Sequence, residues 1–360
     1  MKFEIITSPD DFVALRGEIE ANLRHFPDSF FYSPCWLAPF HKVLGNEGGV
    51  AHIIGRDDQG TISGSVHLSL VRTPFLKIFH PQVLALLGTR SVVSPEHLDF
   101  PIRREAWDEW FGFLVNYIRD EMRRCAFAVF DSVAEKAPCI DAFMTHLRRS
   151  GFRVIRQEQD VCPYLDLPET FEALLEGYSP NMRKIIRRSL RRAQDKVRMV
   201  DYREIGDVEK ALQEARRLHT LSREKKGDEG SFERPGYIEF HRELIRCLQD
   251  EDRLYLKFLV SGQTPVAFRY GFVVDGVYYD YQTGYDPAYE EWRPGFVILA
   301  LIAEDLVGRR VKQFDFLRGN ESYKRHWAHS DRKTYRYYAF PAGMKSWIYS
   351  AIWRLYHGIK

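Results

Sequence analysis

Between Phe314 and Trp327 the chain runs Phe-Asp-Phe-Leu-Arg-Gly-Asn-Glu-Ser-Tyr-Lys-Arg-His-Trp. Asp315 stands in an apolar stretch of strand type, close to its C-terminal end. Open α/β sheets hold their ligands at such ends, and a carboxylate there is costly unless it is paired or used. Tyr323 and Lys324 follow on a short helical segment that begins at Glu321. An acid, a phenol and an amine converging beyond one strand can move protons and stabilise an anion. The same groups can instead form a structural Asp–Lys or Asp–Arg pair.

Upstream, Glu291-Trp-Arg293-Pro294-Gly295-Phe296 precedes the apolar positions Val297, Ile298, Leu301, Ile302 and Leu306. Proline at a helix start with glycine beside it leaves backbone N–H groups free for an anion at the positive end of the helix dipole, and Arg293 adds a mobile charge. His219 lies among Leu212, Ala215, Leu218 and Leu221, as a base of near-neutral pKa or as ordinary packing. From Met182 to Arg198, Arg183, Lys184, Arg187, Arg188, Arg191 and Arg192 surround an apolar stripe of Met182, Ile185, Ile186, Leu190 and Ala193. Such a helix suits phosphates, an anionic membrane or RNA, or is a solvated face. His326 and His329 lack a third ligand, so no metal site is expected.

The elements that must position these groups follow from periodicity. A strand at Phe3–Ile6 leads to a helix after Ser8-Pro9-Asp10, and Val50–Ile54 and Thr61–Val71 form a hairpin across Asp57-Asp58-Gln59-Gly60. A helix over about 103–124, a strand at 126–130, a helix at 140–149 and a strand from Phe152 complete a first set. The second set has helices at 168–177, 180–196 and 207–224, then strands at 253–260, 265–274 and 277–284 joined at Ser261-Gly262 and Asp275-Gly276. A helix at 294–308, a strand at 311–316, a helix at 321–328 and a strand at 334–340 close it. Two mixed α/β domains follow, 1–160 and 161–342, with a cleft between them as the expected ligand site. Residues 344–360 place Trp347, Ile348, Ile352 and Leu355 on one helical face, the pattern of an interfacial or docked helix.

Composition limits the function classes. The 360 residues are 45% hydrophobic, 28% charged and 14% aromatic, which excludes a disordered or collagen-like chain. Lys plus Arg exceed Asp plus Glu by 52 − 50 = 2, too few for a generic nucleic-acid coat. Five widely spaced cysteines without a C-x-x-C pair imply neither a disulfide framework nor a zinc ribbon. No run reaches the roughly 18 apolar residues a membrane span needs, so a cytoplasmic location is expected, with attachment to the inner face of the membrane open.

The run from Arg293-Pro-Gly-Phe-Val-Ile-Leu through Phe314-Asp315-Phe316-Leu-Arg-Gly319-Asn-Glu321-Ser-Tyr323-Lys324-Arg-His-Trp327 resembles the C-terminal signature of the GNAT-like acyltransferases of the CelD, cellulose-biosynthesis type, relatives of the Fem-type transferases. The resemblance extends through Tyr285-Asp286-Pro287, Pro265-Val-Ala-Phe268, Leu218-His219 and Met182-Arg183-Lys184. It covers about 160–342, while 1–160 is similar to a degenerate first GNAT-like domain. It implies tandem GNAT-like domains and N-acyl transfer from acetyl-CoA or another acyl-CoA, without a metal, to a primary amine of an envelope polysaccharide or lipid precursor.

By the same resemblance, Arg293, Pro294 and Gly295 meet the donor's pyrophosphate, and pantetheine enters near Tyr281, Thr283 and Asp315. Trp292 and Val297 depart from the fuller R/Q-x-x-G-x-G/A loop. Asp315 is the implied base, with Glu321 and His219 as rivals. Tyr323 matches the phenol that protonates the departing thiolate, and Lys324 orients an anionic substrate. Arg183, Lys184 and Arg187 are the anion-binding candidates. Aminoacyl transfer from tRNA and a non-catalytic lipid- or glycan-binding scaffold are the alternative readings.

Overall fold

The computed structural model describes residues 1–45, 49–73, 80–225, 227–343 and 351. The chain divides into two compact units, residues 1–160 with the returning strand from Lys333, and residues 161–332. The second unit therefore ends at 332 rather than 342. From Thr334 onward the last strand pairs with a strand of the first unit, as Thr334 with Ala134 and Ala339 with Ala128. The amphipathic segment 344–360 lies outside the described residues, apart from Ala351.

The first unit contains β1 (Lys2–Ile6), α1 (Pro9–Ala14), α2 (Arg16–Leu23), α3 (Pro34–Leu44), β2 (Val50–Arg56), β3 (Ile62–Arg72), β4 (Gln82–Leu86), α4 (Trp107–Glu121), β5 (Ala128–Ala134), α5 (Pro138–Arg149) and the start of β6 (Arg153–Asp166). Of these, α3 and β4 are absent from the sequence reading. Strands β1 to β4 are successively antiparallel, and β4 runs parallel to β5 for two residue pairs, Leu84 with Ala128 and Ala85 with Val129. Beyond them Leu98 takes over that edge of β5: its N–H donates to the Ser132 carbonyl at 2.8 Å, and its carbonyl accepts from Ala134 N–H at 3.0 Å. The core packs Phe12, Phe31, Trp36, Phe100 and Trp110, all buried. Three histidines form a hydrogen-bonded chain inside it, His41 Nδ1 to His52 Nε2 and His52 Nδ1 to His67 Nδ1, both at 3.0 Å.

The second unit continues with α6 (Phe171–Glu176), α7 (Pro180–Ala193), β7 (Arg198–Asp201), α8 (Val208–Glu224), α9 (Tyr237–Asp250), β8 (Leu254–Ser261), β9 (Thr264–Val274), β10 (Val277–Tyr285), α10 (Pro294–Gly308), β11 (Gln313–Asp315), α11 (Ser322–Trp327) and the start of β12 (Ser330–Phe340). The sequence reading passes over α9 and β7. The sheet order is β6-β11-β10-β9-β8-β7, with β10 and β11 parallel and the other neighbours antiparallel. Positive φ at Asp275 and Gly276 (50° and 80°) suits the two-residue turn between β9 and β10. Helix α10 is apolar on nearly every side because it is enclosed: Val297, Ile298, Ala300, Ile302, Ala303 and Leu306 are at most 1% exposed. Asp207 caps α8 by accepting from Lys210 N–H at 2.9 Å.

Candidate active site

Strands β10 and β11 stay in register for three residue pairs, the last being Tyr279 with Asp315. Immediately beyond, the register of β10 against β9 slips between Asp280 and Gln282, so Tyr281 is the extra residue of a bulge. A bulge bends its strand and raises the local twist, which carries β10 away from β11. The parted length of β10 ends at Tyr285, against the start of α10: a Cβ added at Gly295 would lie 3.4 Å from the Tyr285 ring. That is ordinary contact distance, so protein packing does not require glycine there, whereas close approach of a ligand to the first helical turn would. Arg293 precedes this turn in the left-handed region (φ 54°), and Pro294 occupies its first position.

Asp315 is fully buried. Its Oδ1 accepts from Leu317 N–H at 2.7 Å, which fixes the turn where Leu317 adopts φ 53°. Its Oδ2 lies 3.6 Å from Arg332, whose guanidinium also donates to Gln313 and stacks over Tyr164. This carboxylate, the leading base candidate from sequence, is thus engaged in shaping the end of β11. Lys324 Nζ donates to the Arg318 carbonyl at 2.6 Å and sits 3.3 Å from Glu321. The amine holds the 318–321 loop, and Gly319 (φ 128°) passes so close that a Cβ would fall 2.9 Å from Nζ.

Tyr323 is brought to a group of residues that the sequence reading misses. The guanidinium carbon of Arg269, on β9, lies 5.3 Å from the centre of the Tyr323 ring. Arg269 is 2% exposed and donates to Asp280 on β10, and Asp280 also accepts from Tyr278 OH at 3.2 Å. Burial raises the Tyr323 phenol well above its ordinary value, and the Arg269 charge works against that rise. Burial disfavours the Arg269 charge, yet Asp280 and the neighbouring phenols more than offset it and hold the guanidinium protonated. The available signal was an arginine and an aspartate of opposite sign within two apolar strands flanking one tight turn.

His219 is fully buried, with both ring nitrogens engaged: Nδ1 is 3.2 Å from the Thr283 carbonyl, and Nε2 accepts from Ser231 N–H at 3.3 Å. These partners assign the proton to Nδ1 and tie α8 to β10. The expected free base is instead a bridging side chain. Thr283 Oγ1 donates to the Phe268 carbonyl at 3.1 Å, and the bulged Tyr281 packs among His241, Tyr270 and Phe272. Both side chains are thus held by β9 and α9.

A shallow basin of about 180 Å³ lies between α7 and the start of α10, lined by Ile185, Arg188, Ser189, Arg192, Glu291 and Arg293. Among the anion-binding candidates, Arg187 is paired with Glu172 at 2.6 Å, and neither Arg183 nor Lys184 lines this basin. One helical turn apart, Arg188 and Arg192 present two exposed guanidinium groups to Arg293 across the basin, with no carboxylate partner among the described residues. Three cations against the single acid Glu291 give the basin an excess of positive charge, a setting for phosphate.

Residues 180–325 match the family model of an acetyltransferase (GNAT) domain. The chain is similar in structure to FemX, with a TM-score of 0.65 and 11% identity over 98% of this chain and 100% of that one. It is similar to the C-terminal domain of a putative lysylphosphatidylglycerol synthetase from Agrobacterium fabrum (TM-score 0.54, 10% identity, 96% of each chain). It is also similar to L-PGS from Bacillus licheniformis (TM-score 0.53, 13% identity, 91% of this chain and 92% of that one). No curated protein matches the sequence. At these identities the likeness is one of fold: a mixed α/β architecture of GNAT type, with the match to the acetyltransferase domain model falling within the second unit.

Proposed function

We propose that this protein is an N-acyltransferase that moves an acyl group from a CoA thioester to a primary amine. The observation that carries the reading is the parting of β10 from β11 after Tyr279 and Asp315, with the opened strand ending at Tyr285 beside Gly295 on the first turn of α10. A linear donor with phosphates at one end and a thioester at the other matches that arrangement. The phosphates would meet Arg293 at the start of α10 together with Arg188 and Arg192, and the thioester would lie toward Tyr281 and Tyr323. Among the described residues of the first unit no such opening lies along β5, because Leu98 occupies the edge that β4 leaves.

In the transfer, the amine nitrogen attacks the thioester carbon, the carbon–sulfur bond breaks, and sulfur takes a proton. Tyr323 is the proton donor in this reading. Asp315 and Lys324 hold the turn and loop around it, and His219 fixes α8 against β10. The acceptor is an amino group of an envelope polysaccharide or lipid precursor, as the CelD-type resemblance suggests. The basic face of α7 and the aromatic positions of 344–360 favour an acceptor at an anionic membrane surface. Among the described residues no helix is long and apolar enough to cross a membrane.

A second reading, aminoacyl transfer from tRNA, is favoured by the exposed guanidinium groups of α7, which suit a nucleic-acid backbone as well as a nucleotide. Thermal-shift measurements with CoA, acetyl-CoA and palmitoyl-CoA separate the two, because a ligand of the native state raises its stability by mass action. Stabilisation by a CoA species is expected, and its chain-length preference divides sugar from lipid acceptors. Stabilisation by aminoacyl-tRNA alone would transfer the assignment to the second reading.

A further inference from the structure

A buried ion pair contributes little net stability, because desolvation of both charges offsets their attraction, and apolar replacements of similar volume often fold as well. The Arg269–Asp280 pair is such a case: both side chains are 2% exposed, on adjacent strands whose other neighbours are aromatic or aliphatic. The pair stands where β10 bulges and leaves β11, and its guanidinium faces the Tyr323 ring. Arg269 Nε is buried without a hydrogen-bond partner among the described residues. A cation kept beneath a phenol at the mouth of a proposed thioester site has a chemical use that its stability contribution does not supply.

We propose that Arg269, held by Asp280, is a positioning residue that stabilises the phenolate of Tyr323 while that phenol protonates the departing sulfur. The inference rests on the acyltransferase reading. When the carbon–sulfur bond breaks, its electron pair stays on sulfur, which takes the proton from Tyr323 Oη. The phenolate faces Arg269 until the attacking nitrogen, which carries one proton too many after forming its bond to carbon, returns a proton directly or through water. The products are an amide and a free thiol, and Tyr323 is restored. Without the guanidinium, the burial that already raises the Tyr323 pKa, joined more weakly by the charges of Asp280 and Glu321, loses the group that opposes it, and the phenolate is harder to form.

The test compares wild type, Tyr323→Phe, Arg269→Met with Asp280→Leu, and all three changes together. Thiol release from acetyl-CoA or palmitoyl-CoA is followed with glucosamine or a long-chain alkylamine as acceptor, and CoA affinity is measured by calorimetry. The Arg269→Met, Asp280→Leu variant should keep its melting temperature and CoA affinity and lose about 100-fold in kcat with little change in KM. Adding these changes to Tyr323→Phe should cost nothing further. Undiminished kcat, or a loss that multiplies with that of Tyr323→Phe, would overturn the inference while leaving the acyltransferase reading in place. A double variant whose melting temperature collapses but whose kcat per folded molecule equals that of wild type would assign the pair to folding alone and overturn it too. A wild type that binds no CoA and releases no thiol overturns the reading and the inference together.

Discussion

Tyr279 and Asp315 are the last two residues at which β10 and β11 stay in register, and the changes of direction that shape the site follow within two residues of that pair. On one side Tyr281 bulges out of register with β9; on the other Leu317 takes a left-handed conformation held by the Asp315 carboxylate. A parallel pair so short, interrupted on both strands, leaves a gap in a sheet that is otherwise continuously hydrogen-bonded within its unit. The opening is built into the backbone by a bulge and a side-chain-to-backbone hydrogen bond.

Replacing Asp315 by Asn keeps an oxygen that can accept from Leu317 N–H but removes the charge facing Arg332. The expected outcome is a stability loss of about 1–3 kcal/mol, of the size associated with a buried polar group losing its partner, with turnover remaining within the same order of magnitude. Parallel thermal melts and steady-state assays check it. Abolished turnover with an unchanged melting temperature would return Asp315 to the role of base.

Gly284 on β10 lies directly beneath α8: a Cβ there would fall 2.6 Å from the His219 backbone nitrogen and 2.7 Å from its Cα. Backbone cannot rotate out of the way as a flexible side chain can, so Gly284→Ala must push α8 outward. Overpacking of this kind costs about 1–3 kcal/mol, and it strains the hydrogen bond from His219 to Thr283. A denaturant midpoint equal to that of wild type would show that α8 is not seated as described.

The histidine chain of the first unit makes its stability depend on pH. Burial lowers the pKa of His52 and His41, and holds His67 at about 3. The unfolded histidines take up protons below about pH 6.5, whereas folded His52 and His67 resist until much lower pH and half-buried His41 to a smaller degree. Their contribution is therefore fully present above pH 6.5 and is lost as pH falls below it, by about 1.4 kcal/mol per pH unit for each histidine that remains neutral. Urea titrations between pH 7 and pH 4 should show a steep acid decline that becomes shallower in His52→Gln, His67→Gln. An equal slope in wild type and variant would place these groups in solvent-like surroundings.

Local features were legible in the sequence where one stretch of chain determines them. Pro294-Gly295 ahead of an apolar run marked α10, and Asp275-Gly276 between alternating residues marked the β9–β10 turn. Helix α9 escaped although Tyr237, Phe240, Leu244, Ile245 and Leu248 have helical spacing, because charged residues interleave them and a polar stretch precedes them. The contact of Arg269 with Asp280 and Tyr323 depends on strand register, on a one-residue bulge and on where α11 settles, none of which is local. Likewise, the sequence showed a basic α7, but its rotation against α10, which brings Arg188 and Arg192 to the basin in place of Arg183, Lys184 and Arg187, is a property of packing.

If a phosphate-bearing thioester donor seats at the start of α10, calorimetric titration of CoA into wild type and into the triple variant Arg188→Ala, Arg192→Ala, Arg293→Ala reads that seat. One CoA per chain is expected, with an affinity lowered at least about a hundredfold in the triple variant, since three charge-assisted contacts of about 1 kcal/mol or more each are removed. Wild-type binding that survives the triple substitution unchanged, or two equivalent CoA sites per chain, would contradict it.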